Sequence, residues 1–123
     1  LDAPCTGLGA LRRRPEARWR KQPSDVAGLG ELQAKLLASA LAALKPGGLL
    51  AYVTCSPHVA ETKAIIKAAL RTIPGLEVVP TQAIVQAIAT DNLDMPPADH
   101  VQLWPHRNGT DAMFIQLLTR TEP

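Results

Sequence analysis

The clearest periodicity in the chain runs from Leu29 to Leu44. Leu29, Leu32, Leu36, Leu37, Ala40, Leu41 and Leu44 recur at steps of three and four, which predicts a helix with one apolar stripe. Lys45-Pro46-Gly47-Gly48 ends it with the cation, proline and glycine that a helix C-terminus favours. The pattern then changes. Leu49-Leu50-Ala51-Tyr52-Val53-Thr54 is a short apolar run between that turn and Cys55-Ser56-Pro57. Its length and flanks predict a strand buried on both faces. Ser56 as N-cap and Pro57 as first helical residue predict a helix to about Ile73, with Ile65, Ile66, Ala69, Leu70 and Ile73 as its stripe. Pro74-Gly75 stops it, and Leu76-Glu77-Val78-Val79 is a further short strand.

The remaining segments are less regular. Leu1-Asp2 reads as the end of a strand, and Ala3 to Gly9 as a loop. Pro15 opens a short helix. Thr81 to Ala89 predicts another, Thr90 to His100 a loop, and Val101 to Pro105 a short strand. His106 to Asp111 is turn-rich. Ala112 to Thr119 is a closing strand, with Gln116 toward an edge, and Thr121-Glu122-Pro123 should fray. The order strand, helix, strand, helix, strand predicts an α/β fold whose helices cross between parallel strands.

Composition changes this picture little. The chain has 123 residues and is 46% hydrophobic, enough for one domain with a core. Only 3% is aromatic, so aliphatic side chains must fill that core. A net charge of +2 is too small to imply a nucleic-acid partner by itself. No apolar run reaches membrane-span length and no signal peptide is visible, so a cytoplasmic protein is expected. Two cysteines do not make a disulfide framework. The opening Leu1-Asp2-Ala3-Pro4-Cys5 has no initiator Met and starts at a strand end, so the chain reads as a piece of a larger protein. A sheet severed there invites dimerisation through its unpaired edge.

Candidate chemistry centres on the cysteines. Cys55 is predicted at the carboxyl end of a parallel strand and beside a helix N-terminus. Ligands bind at that edge, and a helix N-terminus favours a thiolate, so one reading is a covalent catalyst. The other is a small buried hydrophobe. Cys5 also follows a strand, joined to the Cys55 strand by one helix crossover. Asp2, Cys5 and Cys55 are therefore predicted to line one pocket. A disulfide, a redox pair and two unrelated buried thiols stay open beside that reading. Two thiols with no nearby His in sequence make a poor metal set. Arg12, Arg13, Arg14, Arg18, Arg20 and Lys21 form a basic patch around Trp19. It is either a phosphate-contacting surface or a solvated charged face.

Three stretches carry a resemblance. Asp2-Ala3-Pro4-Cys5-Thr6-Gly7-Leu8-Gly9, with Arg13-Arg14-Pro15 and Trp19, resembles the fourth motif of the Sun/Fmu family of RNA cytosine-C5 methyltransferases. Leu44 to Ser56 resembles the sixth motif and the turn before it, and Asn108 to Phe114 the closing signature. They stand in family order and span nearly the whole chain. Thr6 replaces the usual serine, Pro57 an aliphatic residue, and Glu61-Thr62 the commoner Glu-Asn. Ala112-Met113 stands where glycine and phenylalanine are usual.

The resemblance implies a Rossmann-like fold, with an antiparallel closing strand. It implies that residues 1–123 are the carboxyl-terminal half of a catalytic domain, without its glycine-rich cofactor loop or an RNA-binding domain. It further implies S-adenosylmethionine as cofactor and RNA, ribosomal in kind, as partner, with no metal and no membrane. Cys55 would be the nucleophile that adds to C6 of cytosine and Cys5 a helper in product release. Asp2 would stand between cofactor and base, Pro4 would stiffen the loop, and Arg13 and Arg14 would contact the substrate. The base must be unstacked for a thiol to reach it. The alternatives are a non-catalytic fragment serving as an interaction module and a two-cysteine thiol redox protein.

Overall fold

The computed structural model describes residues 1–121, so the expected fraying of Glu122 and Pro123 lies outside the described residues. In chain order the elements are α1 (Ala17–Arg20), α2 (Pro23–Ala43), β1 (Leu49–Thr54), α3 (Lys63–Thr72), β2 (Leu76–Val79), α4 (Thr81–Ile88), β3 (Val101–Gln102), α5 (Pro105–Asn108) and β4 (Phe114–Arg120). Short 3-10 turns cover Leu8–Ala10 and Val59–Glu61.

The sheet is built around β4. It pairs antiparallel with β1 on one side and β2 on the other, and β3 also pairs with it. Strands β1 and β2 therefore run parallel to one another, as their helix crossover requires, with the closing strand between them. Leu1–Ala3 runs parallel along the free side of β1. The Val53 N–H donates to Leu1 O at 2.9 Å and the Ala3 N–H to Val53 O at 2.9 Å. The two strand ends that carry the cysteines thus lie side by side.

The core fills one face of this sheet. Leu50 and Tyr52 of β1 and Phe114 and Leu118 of β4 meet Leu37 and Leu41 of α2 and Ile65, Ile66 and Ala69 of α3. Tyr52 and Phe114 pack edge to face, 6.2 Å between ring centres. Fully burying an aliphatic side chain of this size is worth about 1.5–3 kcal/mol.

Several expectations shift. Helix α2 starts six residues early, at Pro23, because the Asp25 carboxylate accepts the Gln22 N–H at 2.8 Å and Pro23 takes the first helical position. Its buried stripe passes through Gln33 rather than Leu32, which is exposed. Strand β1 is not buried on both faces: Leu50, Tyr52 and Thr54 are buried, whereas Leu49 is exposed. Helix α3 starts at Lys63 and not at Pro57, so Cys55 does not sit at a helix N-terminus. Ser56 caps no helix there: its Oγ accepts the His58 N–H at 3.1 Å, closing a local turn, while its hydroxyl donates to Glu61.

Strand β3 stops at Gln102, since Pro105 opens the single-turn helix α5. Strand β4 starts at Phe114, because the Ala112 N–H is already spent on Gly9 O. Gln116 lies not at an edge but buried in the central strand, its amide within 3.3 Å of Thr81 Oγ1. Thr121 is held, its N–H donating to Gly75 O at 2.8 Å.

Candidate active site

The loop that leaves the Leu1–Ala3 edge strand turns sharply. Gly7 takes φ +73°, a left-handed conformation that glycine adopts without strain. The chain then passes so close to its neighbours that Gly9 has no room for a side chain. A Cβ there would lie 2.1 Å from Ala112 O and 2.7 Å from Cys55 O. Instead the Gly9 N–H donates to Cys55 O at 2.9 Å, and Gly9 O accepts the Ala112 N–H at 2.8 Å. Three distant stretches of sequence join at this point.

The result places Cys5 Sγ 3.3 Å from Cys55 Sγ. Both are free thiols, since a disulfide would bring the sulfurs to about 2.0 Å. Both are half-buried on a cleft of about 470 Å³, within the range of small-ligand sites. Asp2, Pro4, Arg13 and Arg14 line the same cleft, so all six residues singled out from sequence meet there. Lys21 joins them.

The surroundings of Cys5 disfavour its thiolate. Burial pushes the Cys5 thiol up from 9.0 to about 12. Its hydrogen bond with Cys55 adds to the rise, and backbone contacts with Gly7 and Cys55 oppose it. Cys5 keeps its proton across the physiological range.

The arginines differ too. Arg13 reaches Asp111 through Nη2 at 2.6 Å and Nε at 2.9 Å, and Arg12 Nε reaches it at 2.9 Å. These guanidinium groups hold the Asp111 carboxyl below its ordinary 3.8, and Asp111 in turn raises Arg13. Arg14 is exposed on the cleft with no carboxylate partner among the described residues. Trp19 is 79% exposed, with the Arg18 guanidinium 4.8 Å above its ring.

Sequence reasoning missed Asp111, which orients two of the arginines, and it missed the buried pair Glu61 and Gln33 beneath the loop. Gln33 Nε2 donates to Pro4 O at 2.8 Å. A polar residue at a core-facing step of the α2 stripe was the available signal. Among the described residues no group of three or more His, Cys, Asp or Glu side chains is placed to hold a metal. Among the described residues no helix is long and apolar enough to cross a membrane.

The Rossmann-like α/β fold that carries this cleft recurs in solved structures. The crystal structure of PH0851 superposes with a TM-score of 0.84 at 35% identity, covering 98% of this chain and 26% of that one. NSun6 from Pyrococcus horikoshii, solved with SFG, shares the fold with a TM-score of 0.76 at 24% identity, over 100% of this chain and 29% of its own. The chain belongs to the RsmB/F family of 16S rRNA methyltransferases, whose model matches residues 1–119. A putative methyltransferase of Mycobacterium tuberculosis is 54% identical over 98% of this chain. The probable ribosomal RNA small subunit methyltransferase B of Bacillus subtilis is 33% identical over 94% of it. The chain spans about a quarter of the length of these curated relatives.

Proposed function

We propose that this chain forms the base-modifying part of an S-adenosylmethionine-dependent methyltransferase that acts on C5 of a cytosine in 16S ribosomal RNA, in a cytoplasmic protein. The observation that carries the reading is the pair of free thiols, 3.3 Å apart, in a cleft shared with Asp2 and basic side chains. Family membership and the relatives' names support ribosomal RNA as the substrate class. On this reading residues 1–123 are part of a catalytic domain, and the rest of the cofactor's cradle lies in the portion of the relatives that the chain does not match.

C5 of cytosine is a poor nucleophile while its ring is aromatic. Addition of the Cys55 thiolate to C6 breaks the aromaticity and makes C5 enamine-like. S-adenosylmethionine, when bound, supplies an electrophilic methyl group on a sulfonium. Asp2 is exposed on the cleft, where its carboxylate suits a cationic methyl donor and can accept a hydrogen bond from the cytosine amino group. Once methylated, C5 must lose its proton so that the C6–S bond can break.

Cys5 is suited to that last step because its environment changes during the reaction. Two of the effects that raise its pKa, the hydrogen bond and the charge of Cys55, vanish when Cys55 becomes a thioether. Cys5 then ionises more readily, and its thiolate removes the C5 proton as the C6–S electrons return to Cys55. The order of events is thereby built into the spacing of the two sulfurs. Arg14, Lys21 and Trp19 would hold the flanking RNA through phosphate contacts and stacking.

The test uses full-length protein carrying Cys5→Ala, 16S RNA and S-adenosylmethionine. A protein–RNA adduct that survives denaturation, and that disappears with Cys55→Ala, is expected. Methyl transfer without an adduct would refute the two assignments. The same sulfur spacing favours thiol redox chemistry as a second reading. A chain that forms the Cys5–Cys55 disulfide under mild oxidation yet never methylates RNA would establish it.

A further inference from the structure

Beneath the two cysteine loops lies a carboxylate that the chemistry above does not use. Glu61 is fully buried. No cation pairs with it among the described residues, and a lone buried carboxyl is costly unless hydrogen bonds satisfy it. Here four donors do so. Thr6, next to Cys5, donates its backbone N–H to Oε1 and its hydroxyl to Oε2, both at 2.8 Å. Ser56, next to Cys55, donates its hydroxyl to Oε2. Gln33 on α2 sits 3.4 Å from Oε1 and also holds Pro4 O at 2.8 Å. Tyr52 Oη donates to the Glu61 carbonyl at 2.9 Å, fixing the backbone that carries the carboxylate.

The arrangement is more specific than packing needs. Thr6 and Ser56 are each one residue from a reactive sulfur, they come from loops 50 residues apart, and they meet on one oxygen of one side chain. Four donors around two acceptor oxygens suit a carboxylate. We infer that Glu61 is a positioning residue: it clamps the Cys5 loop to the Cys55 loop and so sets the separation and facing of the two thiols. The inference rests on the proposed roles of the cysteines for its effect on methylation, but its geometric content does not.

The substitutions are Glu61→Ala, Glu61→Gln and Ser56→Ala, made in the full-length protein. Glutamine keeps one acceptor for Thr6 N and Gln33, and its amide can donate to the Thr6 and Ser56 hydroxyls once these rotate to accept. Alanine keeps nothing. Ser56→Ala cuts only the tie to the Cys55 loop and serves if Glu61→Ala does not fold.

Two readouts separate the inference from the methyltransferase reading. The first is closure of the Cys5–Cys55 disulfide by diamide, in which two thiol hydrogens pass to the diazene to give a hydrazine and one S–S bond forms. Closure should be at least about tenfold slower in Glu61→Ala, several-fold slower in Ser56→Ala and within about threefold of wild type in Glu61→Gln, because a loosened clamp misplaces the sulfurs. The second is methyl transfer, where kcat should fall by the same ranking while KM for RNA stays within about twofold. Disulfide closure at the wild-type rate in Ser56→Ala, or in a folded Glu61→Ala, overturns the clamp. Absence of methyl transfer in wild type leaves the disulfide readout to decide it.

Discussion

The raised pKa of Cys5 has a measurable consequence. The rise of the Cys5 pKa from 9.0 to about 12 lowers its thiolate fraction about a thousandfold at any pH below both values. A thiolate of higher pKa is intrinsically more nucleophilic, with a Brønsted slope of about 0.4–0.5, which returns a factor of about 16–32. Alkylation of Cys5 at pH 8 should therefore be about 30- to 60-fold slower in the folded protein than in urea, where its pKa is ordinary. The assay is iodoacetamide labelling of full-length protein, with initial rates read by peptide mass spectrometry. Steric shielding would also slow Cys5, so the pH profile decides the cause. With the raised pKa the rate keeps climbing about tenfold per pH unit past pH 9, whereas a merely shielded thiol levels off there. Cys55→Ala removes the hydrogen bond and charge that contribute to the rise, so Cys5 should react faster in that variant. A plateau near pH 9, or a Cys5 rate indifferent to Cys55→Ala, refutes the electrostatic argument and with it the ordered roles of the two sulfurs.

Two further outcomes follow from the cleft. Gly9→Ala places a Cβ 2.1 Å from Ala112 O and 2.7 Å from Cys55 O, with backbone on both sides. It should destabilise the protein by about 1–3 kcal/mol, measurable by urea unfolding, and depress methyl transfer more than stability alone explains. Arg14 stands on the cleft without a carboxylate partner, whereas Arg13 is engaged by Asp111. Arg14→Ala should weaken RNA binding and reduce the slope of log affinity against log salt by about one, while Arg13→Ala changes it less; filter binding across a salt series measures both.

The elements were legible where one physical signal governed them. Helices α2 and α3 are legible from their periodic stripes and β1 from an apolar run of strand length, and all three elements exist. Boundaries failed where a tertiary partner competed with a local cap. Ser56 looks like a helix N-cap, but the N–H its oxygen accepts is that of His58 in a local turn, its hydroxyl is tied to Glu61, and the helix waits until Lys63. The two-faced burial predicted for β1 failed because an apolar run records composition and not what covers it. Leu49 carries the same signal as Leu50 and points the other way. The meeting of Asp2, Cys5 and Cys55 was readable because one crossover fixes which strand ends lie together. The clamp below them was not, since Glu61 has no sequence neighbour that reveals Thr6.

That contrast explains why the three resembling stretches lie so far apart in the chain. Each supplies one part of a single junction: Gly9 from the first, Cys55 O from the second and the Ala112 N–H from the third. Glycine is required at position 9 by the close approach of two carbonyls and not by an unusual backbone conformation. The reverse holds at position 112, where glycine is usual and this chain has alanine. No non-glycine residue among those described has a positive φ, so Ala112 takes an ordinary backbone conformation, and its methyl group is buried. The turn needs the Ala112 N–H and a small side chain, and alanine supplies both. The departure from the family pattern at Ala112 is therefore compatible with an intact site, whereas a side chain at Gly9 is not. A substitution here should be judged by how far it displaces the 3.3 Å between the sulfurs, which is the quantity both loops and the closing turn converge to set.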